Sequence, residues 1–295
     1  MQFKHRLLLK VAVIIRASKL VKYCTINNDE RATTPFKLVF FCGEKGLDYL
    51  NASLFSVYKH WKKLPEVCII SDGSPVENIE KGLLKWPRQV KVVSWQECAL
   101  GFKEVGDINL YNYAANELLG KKFVGILHFA KQGPVLYSDS DILWHNSPTE
   151  LDFNLGLKPQ IRMSEDVAHF YTDGLLKALG EEKCLETTAF NSGVVFLNGE
   201  FSSYSKWKSL CEYLGTNKSI GWFTEQTSFA ILKNHFRPED FFKLNEILIK
   251  VDDEYSLKST RKLYPNILAR HYVNVKVTTF WRDFFYMVLF PKFSR

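Results

Sequence analysis

The sequence predicts a mixed α/β fold with a mainly parallel sheet flanked by helices. Short apolar runs of strand length alternate along the chain with longer segments that have helical periodicity. Several of these runs end in Gly, Asp or Ser, the residues that commonly close a strand before a loop. The 295 residues are 46% hydrophobic and 24% charged, which is ordinary for a globular protein and excludes disordered, collagen-like and low-complexity classes.

The predicted elements follow one another from about residue 35 onward. A compact apolar run predicts a buried strand, and apolar residues that recur every three or four positions predict a helix. In chain order, the pattern predicts a strand at 37–41 that Gly43 ends, a helix at 47–61, a strand at 67–70 closed by the turn 71–75, a short helix at 77–85, a strand at 90–93, a longer helix at 112–131 and a strand at 134–137. The series has no internal repeat and no linker, so residues 31–295 are expected to form one domain.

The first thirty residues differ from the rest of the chain in charge. Six basic residues precede Asp29, the first acidic residue, which leaves 33 basic against 32 acidic residues in the remainder. A nucleic-acid-binding protein would spread basic charge over its folded surface, so nucleic acid is not an expected partner. We expect residues 1–30 to form a basic amphipathic segment that rests on an anionic membrane surface. A terminal helix packed on its own domain is the alternative.

Two further patterns concern the location of the protein. The apolar run 7–15 is too short to cross a bilayer, and no small-residue cleavage site follows it. The six cysteines have no C-x-x-C spacing, and several of them lie in apolar runs. They are expected to be buried free thiols in a reducing compartment. We therefore predict a cytoplasmic protein that is peripheral on the membrane.

The strongest chemical signal is a pair of carboxylates at the end of a predicted strand. Asp139 and Asp141 directly follow the apolar run 134–137. Ligands of parallel α/β sheets bind beyond the carboxyl ends of the strands. Two negative charges there need a neutralising cation, and Mn²⁺ or Mg²⁺ bridging to phosphate oxygens would supply it. A solvated turn or a helix cap is the ordinary alternative for a D-x-D sequence.

Four segments carry motifs that occur together, in the same order, in one family of proteins. Residues 135–143 hold the D-x-D strand, 190–198 a Phe-Asn-Ser-Gly-Val strand, 224–228 an acidic-Gln helix start, and 270–272 a late His-Tyr pair. Together they resemble GT-A-fold glycosyltransferases, which have a Rossmann-like α/β fold, and in particular glycosyltransferase family 8 and its relatives. The resemblance spans residues 36–282. It implies transfer of a sugar from a nucleotide-diphosphate donor, with UDP favoured and retention of configuration, to a glycan or lipid-linked acceptor.

The resemblance also implies roles for individual side chains. It assigns Mn²⁺ or Mg²⁺ to Asp139, Asp141 and His271, and Ser140 to the donor site between the two carboxylates. From their places at the end of the second strand and on the helix before the D-x-D strand, Asp72 is expected at a base edge and Lys122 at the diphosphate. The remaining donor-binding positions that the resemblance implies are Phe41, Cys42 and Gly43 at the nucleobase and ribose, Lys276 at the diphosphate, and Ser192 and Gly193 at the donor sugar. The catalytic positions that it implies are Glu225, Gln226 and Asn191.

Some of these positions have an ordinary structural alternative, and the chain departs from the family in two places. Asp72 also suits a turn, Lys122 a solvated helix face, and Glu225 a helix start. After His271 the family's Gly and Pro-Trp are missing, and Lys276 stands one residue early. Glu225 stands where relatives often have Asp, and a carboxylate there would also suit the base of an inverting enzyme. The departures indicate a distinct subfamily, so the resemblance does not identify the donor sugar.

Three other functions remain open at this point. A haloacid-dehalogenase-like phosphatase also has a D-x-D strand, but it expects Thr or Val where Leu143 stands. A sugar nucleotidyltransferase would have a Gly-rich basic loop after the first strand, of which residues 42–46 are a poor version. An inactive nucleotide-sugar-binding module at the membrane would show no donor hydrolysis and no metal-dependent nucleotide affinity.

Overall fold

The computed structural model describes residues 20–26, 29–104, 107–148, 153, 155–156, 159–217, 220–236, 240–249, 258–273 and 277–289. The strands are β1 Lys37–Cys42, β2 Val67–Ser71, β3 Val90–Ser94, β4 Val135–Ser138, β5 Ile142–Trp144, β6 Gln160–Glu165, β7 Phe190–Asn198, β8 Phe241–Phe242, β9 Ile247–Leu248 and β10 Ala269–His271. The helices are α1 Leu47–His60, α2 Val76–Gly82, α3 Trp95–Glu104, α4 Ile108–Asn116, α5 Leu118–Gln132, α6 Asp173–Leu179, α7 Trp207–Thr216, α8 Thr224–Phe236, α9 Thr260–Leu263 and α10 Val277–Leu289. The predicted bounds of β1 to β4 are confirmed to within one residue at each end.

Within the described residues, seven strands form the main sheet, in the order β3-β2-β1-β4-β7-β6-β8. Strands β1 to β4 are mutually parallel, whereas β7 runs antiparallel to both β4 and β6. The predicted mixed, mainly parallel sheet is therefore confirmed. The carboxyl ends of β1, β2 and β4 lie at one edge of the sheet. Because β7 is reversed, its beginning lies at the same edge, where Val194 pairs with Ser138.

A second sheet has the order β5-β10-β9 and lies next to this edge. Its first strand, β5, begins immediately after Asp141. β10 runs antiparallel to β5, with His271 opposite Ile142. This pairing brings a residue from late in the chain beside the D-x-D turn.

The predicted long helix at 112–131 is wrong, because the chain forms two helices there. Glu117 between α4 and α5 has extended backbone angles, φ −125° and ψ 133°. A Cβ on Gly120 would overlap the carbonyl group of Tyr113, so the glycine allows α5 to lie close against α4. Helix α3 was not predicted, because only Cys98, Ala99 and Phe102 of its ten residues are buried and its apolar face is short. Helix α2 is shorter than the predicted 77–85, because the backbone is extended at Leu83.

The main sheet has a hydrophobic core on each face. Val39 of β1 belongs to one core, with residues of α3 to α8, while Leu38 and Phe40 belong to the other, with residues of α1 and α10. This alternation follows from the period of two along a strand. All six cysteines are free and buried, as predicted.

The predicted membrane-binding segment falls mainly outside the described residues. Its positions 1–19 are not described, and Leu20–Tyr23 forms a short 3₁₀ helix with Val21 buried. Among the helices of the described ranges, none combines the length and the apolar character needed to cross a bilayer.

Candidate active site

The D-x-D sequence forms the tight turn between β4 and β5. The backbone N–H of Asp139 donates to the carbonyl of Gly193 at 2.8 Å, which joins the turn to β7. The N–H of Ile142 donates back to the carbonyl of Asp139 at 3.3 Å and closes the turn. Since β4 is fully buried, its end fixes the position of both carboxylates at the edge of the sheet.

Three of the predicted residues converge at this edge. Asp139, Asp141 and His271 each offer one potential ligand atom, and these three atoms lie within 4.8 Å of one another. Nε2 of His271 is 3.3 Å from Oδ1 of Asp141 and 3.6 Å from Oδ2 of Asp139. The imidazole is buried, whereas the two carboxylate side chains are 27% and 37% exposed. The structure thus brings the three predicted metal ligands together at a point that solvent reaches.

Asn191 orients the imidazole of His271. Its Oδ1 lies 3.1 Å from Nδ1 of His271 and also accepts the N–H of Gly193 at 2.7 Å. Its amide nitrogen donates to Oδ2 of Asp166 at 3.1 Å, which fixes the direction of the amide. Nδ1 must then carry a proton, so that in the neutral imidazole the lone pair is on Nε2, on the side of Asp139 and Asp141. This is the tautomer that a metal ligand needs.

The charge of His271 depends on the two carboxylates. Burial disfavours the imidazolium, but Asp141 and then Asp139 outweigh this effect and raise the pKa of His271 above its ordinary value. The carboxylates therefore attract positive charge to the place where a cation would bind.

Lys122 and Tyr137 occupy one oxygen of Asp139. Nζ of Lys122 lies 3.2 Å from Oδ1 of Asp139, and the Tyr137 hydroxyl donates to the same oxygen. The other oxygen, Oδ2, remains on the side of His271. Lys122 is only 4% exposed, so the alternative of a solvated helix face is wrong. Burial acts against its charge, but Asp139 and Glu225 outweigh burial and raise the pKa of Lys122.

Glu225 and Gln226 are buried at the start of α8. Oε1 of Glu225 is 3.3 Å from Nζ of Lys122, and Oε2 accepts the hydroxyl of Ser192 at 2.8 Å. Burial raises the pKa of Glu225, while Lys122 and Ser192 act in the opposite direction. Gln226 accepts the N–H of Ser192 at 3.3 Å and donates to the carbonyl of Phe170 at 3.0 Å. Lys122 therefore joins the start of α8 to the carboxylate cluster.

The ends of β1 and β2 meet at Gly43 and Asp72. A Cβ on Gly43 would overlap the carboxylate of Asp72, so a larger residue there would displace that side chain. Oδ1 of Asp72 accepts the N–H and the hydroxyl of Ser74 at 2.9 and 2.8 Å. Lys121 donates to the backbone carbonyl of Asp72 at 2.8 Å and lies over the ring of Trp95. The residues predicted at the nucleobase form an ordered turn at the same edge as the carboxylates.

The remaining predicted positions have different environments. Phe41 is half-buried and Cys42 is buried at the end of β1. Burial, and then the nearby Asp72, raise the pKa of the Cys42 thiol to about 12, so its surroundings suit packing. Ser140 is half-exposed between the two carboxylates. Lys276 lies outside the described residues, and its role stays a prediction.

Sequence reasoning missed Tyr137 and Asp166. Tyr137 precedes Asp139 by two residues and therefore lies on the same side of an extended chain, a signal that could have indicated the contact. Asp166 directly follows β6, so a polar residue after a strand was also visible in the sequence. Its contact with Asn191 joins residues 25 positions apart, and nothing in the local pattern indicates that pairing.

Solved glycosyltransferase structures share this fold. A galactosyltransferase, LgtC, in complex with donor and acceptor sugar analogs, is 15% identical with a TM-score of 0.54, over 88% of this chain and 95% of that chain. Mouse xyloside xylosyltransferase 1 in its apo form is 14% identical with a TM-score of 0.53, over 81% of this chain and 97% of that chain. The bifunctional glycosyltransferase WbbM in its apo form is 14% identical with a TM-score of 0.53, over 88% of this chain and 50% of that chain.

No protein-family model matches the chain, and no curated protein matches it by sequence. The structural likeness confirms the fold that the sequence resemblance implied, that of the GT-A glycosyltransferases.

Proposed function

We propose that the protein is a metal-dependent glycosyltransferase that transfers a sugar from a UDP-sugar, with retention, to a glycan or lipid-linked acceptor. The observation that carries this proposal is the convergence of Asp139, Asp141 and His271 at the carboxyl edge of the sheet. In open α/β sheets this edge is where ligands bind. The fold shared with solved glycosyltransferases supports the reaction class.

The set of donor atoms fits Mn²⁺ or Mg²⁺. Carboxylate oxygens suit both ions, and the orientation of His271 leaves its Nε2 lone pair on the side of Asp139 and Asp141. A cation held by these three residues would still be open to water and to phosphate oxygens. Such an ion would neutralise the diphosphate that departs from the sugar.

The side chains around the cluster have separate tasks in this proposal. Lys122 and Tyr137 hold one oxygen of Asp139, so that the other is presented in a single orientation. Ser192 and Glu225 would form the wall beside the donor sugar, and the turn at Gly43 would receive the nucleobase. This arrangement keeps the metal ligands preorganised, which reduces the cost of ordering them when the donor binds.

The pairing of Glu225 supports retention over inversion. One of its oxygens faces Lys122 and the other accepts the hydroxyl of Ser192. Glu225 is also only 2% exposed, whereas a general base must lie within hydrogen-bond reach of the acceptor hydroxyl. NMR analysis of the newly formed anomeric centre tests this point, and a product of inverted configuration would contradict it.

The most informative experiment is a thermal-shift screen of nucleotide sugars, each with and without Mn²⁺ or Mg²⁺. Ligand that binds only the folded state raises the melting temperature. We expect UDP-sugars to do so only when the metal is present, and the variant Asp141→Asn to lose the response. Equal stabilisation without metal would contradict the proposed role of the cluster.

The other functions predict different products. A phosphatase would release phosphate from p-nitrophenyl phosphate, and a nucleotidyltransferase would release diphosphate from UTP and a sugar 1-phosphate. The contacts of Asp139 with Lys122 and Tyr137 weigh against its use as a free nucleophile. An inactive binding module would leave the UDP-sugar intact, so measurement of UDP release separates it from the enzyme.

We also propose that residues 1–22 hold the protein peripherally on an anionic membrane surface. The six basic residues of this segment support the proposal. Co-sedimentation with phosphatidylglycerol vesicles should decrease when residues 1–22 are removed. Equal sedimentation of the truncated and full chains would refute it.

A further inference from the structure

Three exposed aromatic side chains lie beside the start of α8, and we refer to Phe170, Trp222 and Phe223 as the aromatic surface. Their exposed fractions are 43%, 70% and 40%, and Trp222 is the most exposed large apolar side chain in the described ranges. The rings of Phe170 and Phe223 have centroids 5.5 Å apart and planes inclined by 30°. Trp222 adjoins Phe223 in the turn that leads into α8. Clustered exposed apolar groups are typical of a binding surface.

Hydrogen bonds attach the aromatic surface to the candidate active site. The carbonyl of Phe170 accepts the side-chain amide of Gln226 at 3.0 Å. The N–H of Thr172 donates to Oγ1 of Thr227 at 2.8 Å. The segment that carries Phe170 is therefore fixed to the first turn of α8, which also carries the buried Glu225. The aromatic surface and the charged network have a common support.

The same segment also leads to the metal cluster. It begins at Asp166, which accepts the amide of Asn191 at 3.1 Å, and Asn191 orients His271. Residues 166–172 thus extend from the hydrogen bonds behind His271 to the exposed ring of Phe170. A molecule bound on the aromatic surface would lie next to the site where the donor sugar is proposed to bind.

The chemistry of these segments indicates what the aromatic surface binds. Residues 166–172 and 220–224 contain no Lys or Arg. An anionic lipid headgroup or a phosphate would need cationic partners there. The flat faces of sugar rings instead carry C–H groups that pack on aromatic faces, while the hydroxyl groups at the ring edge stay in water. Half-exposed aromatic rings satisfy both requirements.

We infer that the aromatic surface is an acceptor subsite, and that the acceptor is a neutral glycan with a sugar ring stacked on Trp222 and Phe223. This inference rests on the proposed function, because it names the substrate that receives the transferred sugar. According to this inference, the aromatic surface recognises the glycan portion of the acceptor and not a lipid portion.

The test compares glycan binding by the full chain and by variants of the aromatic surface. The probes are a panel of defined neutral oligosaccharides, measured by saturation-transfer NMR and calorimetry. We expect Trp222→Ala to weaken binding about tenfold, and Trp222→Tyr to retain most of the affinity because it keeps an aromatic face. Leu100→Ala is the matched control, since Leu100 is 44% exposed on α3 and lies outside this surface. UDP affinity in the presence of Mn²⁺ is measured for every variant.

The outcomes separate this inference from the proposed function. Glycan binding that is lost in Trp222→Ala, with UDP affinity equal to that of the wild type, supports the acceptor subsite. Metal-dependent UDP binding with glycan affinity that Trp222→Ala leaves unchanged overturns the acceptor subsite alone, as does a wild-type protein that binds no member of the panel. Vesicle binding or self-association that depends on Trp222, in place of glycan binding, also overturns it. Absence of UDP binding in the wild type instead contradicts the proposed function.

Discussion

Strand β10 separates two charged clusters, one buried and one open to solvent, that differ in how fully their carboxylates are paired. Arg270 and His271 are consecutive, so their side chains leave the strand on opposite sides. Arg270 is fully buried and lies 3.4 Å from Asp283. His271 faces Asp139 and Asp141 at the edge of the sheet.

The carboxylate of Asp283 is enclosed by donors. Nε and Nη2 of Arg282 donate to it at 3.0 and 3.2 Å, the hydroxyl of Tyr272 at 2.7 Å and the N–H of Thr260 at 3.2 Å. Burial alone would raise the pKa of Asp283, but Arg282 and Arg270 outweigh it and hold the pKa below its ordinary value. Removal of one partner from such a closed cluster is costly, because it leaves a buried charge uncompensated, and the cluster has little capacity to bind anything else.

The carboxylates of Asp139 and Asp141 have the opposite character. Their side chains are 27% and 37% exposed, and the described contacts leave Oδ2 of Asp139 and the Asp141 carboxylate beside a single imidazole. The same residue types are therefore closed to a ligand where donors surround them and open to one where they are not surrounded. Four predictions test this difference, from the largest expected effect to the smallest.

Replacement of Asp283, the carboxylate of the closed cluster, should lower the free energy of unfolding of the protein by the largest amount. In Asp283→Asn, the buried Arg270 and Arg282 lose the negative charge of Asp283, which is expected to lower the free energy of unfolding by about 3–5 kcal/mol. Urea denaturation measures this loss. The exposed carboxylate variant Glu80→Gln is the control, and a similar small change in both variants would contradict the structural role of Asp283.

Replacing Asp141 should abolish activity while stability is retained. Asp141→Asn removes a ligand charge from the open cluster, and we expect turnover of the UDP-sugar to fall by about a hundredfold or more. Its melting temperature without ligand should stay near that of the wild type. The control is the exposed Asp173→Asn, and undiminished transfer by Asp141→Asn would refute the metal role.

Removing the support of the imidazole should have a smaller effect. Asn191→Ala leaves Nδ1 of His271 without the partner that orients it, so we expect Mn²⁺ affinity to fall by about 10- to 100-fold. Calorimetric titration with Mn²⁺ measures the change. Asn78→Ala, an exposed substitution on α2, provides the comparison, and equal affinity in both variants would show that Asn191 does not position the ligand.

Two buried histidines beside the closed cluster should make the stability of the protein depend on pH. His60 and His145 lie beside Asp283 and Arg261. Burial, and then Arg261, lower the pKa of His60 to about 4, and burial, and then His60, lower that of His145 to about 3. Both are neutral in the folded state, whereas the unfolded chain binds protons below pH 6.5, so stability falls as the pH decreases from 6.5 toward the folded pKa values.

The loss from each of the two histidines should approach about 1.4 kcal/mol per pH unit once the pH is about one unit below 6.5. His145→Gln should reduce the slope of unfolding free energy against pH by this amount. The measurement is urea denaturation at several pH values between 7 and 5, and a slope equal to that of the wild type would contradict the assignment.

The fold could be predicted from sequence where the signal was local. The strands β1 to β4 follow from compact apolar runs, and the D-x-D turn follows from the polar residues directly after β4. The break at Glu117 was missed, because both flanking segments have helical periodicity and the close approach of Gly120 to Tyr113 depends on packing. Local periodicity indicates which residues are helical, and it does not indicate where two helices must part.

By itself, the sequence determined the order of the strands and helices along the chain and the residue types at the edge of the sheet, because strand length, alternation and turn residues are short-range properties. Only the tertiary structure decided which of these residues meet. Lys122 became a buried partner of Asp139 and Glu225, and Asp166 became the support of Asn191, through contacts between distant parts of the chain. Such contacts depend on how sheets and helices pack, and packing is fixed by the whole fold.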